Sequence, residues 1–278
     1  MAPQRDTRPL VNDGHILKPT ETWKYLILFG VVAGMAAAMF LIRPIPQSET
    51  YHLFADTRSF GIIPNALNVF SNLFFLIVGV MGMRLVLRDR SLDRSALFVD
   101  PAEKWPYLVF FLGVALTTFG SGYYHAAPDD ARLVWDRLPM TLGFMSLLAA
   151  TIGERIGVKI GLRLLPLLLI LGIASVLYWN FTQEHGQGDL RPYALVQFGS
   201  LVILLLLVVL FPPRYTRGSD LIVSLGIYVV SKLFEAFDGA IFNTGKIVSG
   251  HSLKHVAAAI SAYWIYRMLK LRSPVATN

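Results

Sequence analysis

The chain has 278 residues, 54% of them hydrophobic and 15% charged, with a net charge of +7 and no cysteine; its mean hydropathy is +0.54. Soluble domains carry about 25% charged residues, so the composition excludes a soluble globular protein and fits a polytopic membrane protein. The Lys and Arg residues fall in short loops rather than on one basic stripe, which excludes a nucleic-acid partner, and the lack of cysteine removes disulfides, thiolate ligands and a thiol nucleophile.

Residues 1–23 are polar and read as a cytoplasmic tail. Eight apolar segments follow, at 24–42, 66–87, 105–125, 134–152, 160–179, 193–211, 220–240 and 251–270, each near the ~20 residues that a bilayer requires. The first is too long for the apolar stretch of a signal peptide and reads as an uncleaved helix. None shows the strict alternation of a membrane β-barrel. The expected fold is therefore all-α, a polytopic transmembrane helix bundle. Lys and Arg concentrate in the tail, in the 88–104, 153–163 and 212–219 loops and at the C-terminus, which puts both termini in the cytoplasm.

Polar residues inside such segments are costly and mark function. Ser121 and His125 close the third segment, Asp136 opens the fourth, and His251 and His255 open the eighth. The orientation brings all five to the periplasmic or lumenal face. Spacings of four put each pair on one helix face. Three neutral imidazoles with one open position form a common catalytic zinc arrangement; iron, nickel and copper share the ligand type. Zinc makes hydroxide available near neutral pH, Asp136 suits proton transfer, and Ser121 suits hydrogen bonding to a developing oxyanion.

Each residue also has a plainer role. The histidines could bond between helices, Asp136 could cap its helix or pair with Arg132 or Arg137, and Ser121 could bond back to its own helix. His52 and His185 read as lone loop or interfacial histidines, and Asn68 and Asn72 as helix glue. Glu235 and Asp238, three apart, read as one helical face that either orients metal ligands or pairs with Lys232. Trp105, Tyr107, Trp179 and Tyr193, at segment ends, read as interfacial anchors, and the GSG at 120–122 as a close-packing element.

The stretches GSGYYH, WDRLPMT and GHSLKHVAAA together resemble the alkaline ceramidase branch of the CREST superfamily of membrane hydrolases, over roughly residues 50–270. The resemblance implies a seven-helix domain over 50–272, preceded by an additional transmembrane helix at 24–42. It implies zinc held by His125, His251 and His255, with Ser121 and Asp136 assisting cleavage of the amide of a ceramide-like membrane lipid. The ester-cleaving lipid-remodelling members of the superfamily are the alternative, and a receptor or scaffold with a structural metal, or a transporter, remain different-class readings. The family's acidic calcium-binding segment is reduced here to Asp56, with Asn65 where a carboxylate is expected. One carboxylate makes a poor calcium site, because calcium takes 6–8 oxygen ligands.

Overall fold

Each apolar run of the sequence folds as helix in a computed structural model, which describes residues 21–88 and 97–275. The expected tail lies outside the described residues up to residue 20; its last two residues begin the first helix. The elements are α1 (Thr22–Leu41), α2 (Ala66–Phe70), α3 (Leu73–Arg88), α4 (Lys104–Ala126), α5 (Asp130–Arg155), α6 (Val158–Glu184), α7 (Arg191–Ala194), α8 (Ser200–Leu210), α9 (Asp220–Ala236), α10 (Asp238–Gly245) and α11 (Gly250–Leu271). A π-helical turn, Leu195–Gly199, joins α7 to α8. The described residues contain no strand, so the all-α bundle expected from composition is the observed fold.

Side chains from the loops set the helix ends. Asp129 caps α5 by accepting the Arg132 N–H at 2.7 Å. Ser249 caps α11 by accepting the Ser252 N–H at 3.1 Å. Asp100 and Glu103 form a reciprocal capping box ahead of α4. Each cap satisfies backbone donors that the first helical turn leaves free.

α3 to α6 pack in chain order, α11 lies against α3 and α9, and α1 packs on the α8 side of the bundle. No residue of α1 is buried; its Tyr25 meets Phe211 edge-on at 5.1 Å. Small residues let helix backbones approach closely, as is usual in membranes. A Cβ on Gly120 would stand 2.0 Å from the Trp135 carbonyl oxygen, and one on Gly161 would stand 2.5 Å from that of Ala149. The GSG packing role is thus carried by Gly120; a Cβ on Gly122 would meet nothing.

Five stretches are long and apolar enough to cross a membrane: Thr22–Leu41, Ala66–Arg88, Pro101–Ala126, Val158–Glu184 and Arg191–Leu210. The other three expected spans are α5, α9 and α11, which fold as helices but fall short of that length or apolarity. Their polar residues explain the difference. Asp136 and Arg137 of α5, Lys232 and Glu235 of α9, and Lys254 and His255 of α11 all line one internal cavity.

Candidate metal centre

His125 lies in the last turn of α4, and His251 and His255 lie in the first two turns of α11. The three side chains are buried, and their ligand atoms lie within 4.8 Å of one another. His125 Nε2 is 3.1 Å from His255 Nε2 and 3.4 Å from His251 Nε2. Metal–nitrogen bonds of 2.0–2.1 Å in a tetrahedron separate the nitrogens by about 3.3 Å, so the rings already stand near ligand spacing. The donor set therefore fits a metal ion, and these three residues can hold one.

The surroundings fix the rings. Phe54 packs on His125 and His251 with ring centroids 4.8 Å and 4.6 Å away. His255 Nδ1 lies 2.8 Å from Ser71 Oγ, and that hydroxyl donates to the Asn68 carbonyl at 3.2 Å. Ser71 thus accepts from His255 Nδ1–H, which leaves Nε2 with a lone pair for a metal. Asp238 accepts the His251 backbone N–H at 2.8 Å and the Ala55 N–H at 2.9 Å, tying the loop that carries Phe54 to the start of α11. Asn65 donates to the His125 carbonyl at 2.8 Å, and Asn68 accepts from Ser252 at 2.7 Å.

Ser121 and Asp136 stand with His255 in the wall of a cavity of about 320 Å³. Ser121 and Asp136 face the same cavity from the neighbouring helices α4 and α5. Both are buried, as is Arg137 beside them. Further along the wall Glu235 accepts from Lys232, from Lys254 at 2.8 Å and from Tyr51 at 3.2 Å. The five residues singled out in the sequence all occur at one end of the bundle.

Several expectations are corrected. Asp136 does not cap a helix: α5 begins at Asp130, capped by Asp129, and Asp136 sits a turn and a half in. Nor is it paired with Arg132, which reaches Asp129 at 3.6 Å. Glu235 and Asp238 do not share a face, because α9 ends at Ala236 and α10 starts at Asp238. His52, at the end of a short 3-10 turn, bridges Tyr124 at 3.0 Å and Asp130 at 3.1 Å. Tyr107, Trp179 and Tyr193 are buried rather than interfacial. Both oxygens of Asp56 accept from the Arg58 guanidinium at 2.8 Å.

Sequence reasoning missed Ser71, Phe54 and the backbone role of Asp238. Ser71 has a local signal, since it stands at the break between α2 and α3. The other two become visible only through partners distant in the chain. No family model and no curated protein sequence matches this chain.

Proposed function

We propose that this chain is an integral-membrane, zinc-dependent hydrolase that cleaves the amide bond of a ceramide-type lipid. One observation carries the reading: three imidazole nitrogens converge at 3.1 and 3.4 Å, and one of those rings shares a cavity wall with Asp136 and Ser121. A zinc ion held by His125, His251 and His255 supplies Lewis acidity, bringing the ionisation of water toward neutral pH and polarising a carbonyl. The apolar part of the cavity, with Phe110, Val114, Phe144 and Leu204 among its walls, accommodates an acyl chain. Asp136 accepts the proton of the attacking water and passes it to the amide nitrogen as the C–N bond breaks. The products are a fatty acid and an amine. Ser121 stands at the same wall, where it can bond the carbonyl oxygen as charge develops there. Both termini are assigned to the cytoplasm and the site to the opposite face, from the distribution of Lys and Arg.

The test is product analysis. Purified protein is given a ceramide and, separately, an ester lipid of equal chain length. The expected result is release of fatty acid and sphingoid base from the ceramide, lost on chelation and restored by zinc. Cleavage of the ester alone would move the chain to the lipid-remodelling branch. No turnover of either by metal-loaded protein would leave a receptor, a scaffold or a transporter.

A further inference from the structure

Arg137 is the least satisfied charge in the cavity. It is 4% exposed, yet among the described residues no carboxylate lies within ion-pair distance of it. One of its terminal nitrogens donates to Gln47 Oε1 at 2.5 Å, while the other, Nη1, is buried with no hydrogen-bond partner. Trp179, Tyr193 and Tyr51 surround the guanidinium, with ring centroids 4.1, 4.7 and 5.8 Å from its carbon. Aromatic faces attract the charge, but they do not replace an oxygen acceptor for an N–H in the guanidinium plane.

The rest of the wall does not offset it. Lys232 and Lys254 both donate to Glu235. Three cations, Arg137, Lys232 and Lys254, face two carboxylates, Asp136 and Glu235, around one cavity. A buried charge that lacks a partner is costly, and a ligand bearing one negative charge completes both the charge count and the hydrogen bond at Nη1.

We propose that the cavity binds an acyl lipid whose headgroup carries one anionic oxygen, a phosphate ester or a carboxylate, and that Arg137 receives that oxygen. The preference is a property of binding. It goes beyond the hydrolase reading, and a chain that hydrolyses nothing would still show it.

The experiment is equilibrium binding of three probes with one oleoyl chain to the full-length protein in an uncharged detergent. The probes are oleoyl lysophosphatidylglycerol, oleate and neutral mono-oleoylglycerol. A charge-assisted hydrogen bond predicts that wild type binds at least one anionic probe about tenfold or more tighter than the neutral one. Whichever anionic probe binds tighter identifies the source of the oxygen. Arg137→Gln should remove the difference without weakening mono-oleoylglycerol, and Arg137→Lys should retain part of it. The Lys variant and the wild-type ratio carry the test if the Gln variant does not fold. Equal affinity of wild type for charged and neutral probes overturns the proposal. So does a preference that survives Arg137→Gln but disappears in His125→Ala, since the anion would then sit at the metal centre.

Discussion

At the end of the bundle where α11 finishes, Arg272 donates to Glu154 and to the Leu97 carbonyl, and stacks 3.9 Å over the Tyr215 ring. Tyr107 also donates to Glu154, at 2.7 Å, and Tyr215 donates to Glu103 at 2.6 Å. Among the described residues there, Arg272 and Arg214 meet carboxylates and Arg155 meets the Phe211 carbonyl, while Arg272 Nε and Trp264 Nε1 are left without partners. At the end where α11 begins, three imidazoles turn ring nitrogens toward one another with no carboxylate among them. Both ends bury polar groups at comparable depth. The first arrangement closes on itself and holds helix ends together; the second converges ring nitrogens on one point that could hold a cation. Burial of polar residues therefore does not identify function, whereas the direction in which their unused valences point does.

That contrast can be broken by mutation. His251→Ala should cost most: bound metal and ceramide hydrolysis should both be lost, activity by at least about 10³-fold because Lewis-acid stabilisation contributes several kcal/mol. Unchanged turnover in a well-folded preparation would remove the enzymatic role of this end. Asp136→Asn should retain the metal while kcat falls by roughly 10²–10⁴, the range for a general acid–base; loss of metal instead would make Asp136 structural.

Arg272→Ala should do the reverse at the far end. Removing one partner of a buried ion pair costs roughly 3–5 kcal/mol of stability, read by denaturation, while activity per folded molecule stays the same. A large change in kcat there would erase the distinction between the ends. Ser71→Ala should weaken metal affinity by about 10- to 100-fold, the usual effect of losing a residue that orients a ligand, measured by competition with a chelator.

The smallest effect concerns the loop beside the metal end. The hydrogen bonds from Arg58 hold the Asp56 carboxyl below the usual carboxylate range. A depressed folded-state pKa stabilises at pH values above the unfolded pKa, and that contribution is lost as pH falls through the folded one. Wild type should therefore lose thermal stability in acid, and Asp56→Asn should show a shallower loss over the same range. Identical acid profiles for the two would remove Asp56 as the cause.

The bundle was legible because apolar runs of membrane length leave the backbone no other way to satisfy its hydrogen bonds. The three histidines and Ser121 were legible because a spacing of four fixes a helix face, and Asp136 because a carboxylate inside an apolar segment is costly. What escaped depended on distant partners. Glu235 and Asp238 looked like one face because nothing local announces the break at Phe237. Trp179 and Tyr193 looked interfacial because they sit at segment ends, whereas Arg137 draws both rings inward. Ser71 became important only when α11 placed His255 beside it.

The most direct test of the account is elemental analysis of the purified protein beside His125→Ala. Convergent imidazoles predict one tightly held transition-metal ion per chain in wild type, zinc on the proposed function, and none in the variant. Metal-free wild type that still turns over lipid, or a variant that keeps its ion, would contradict it.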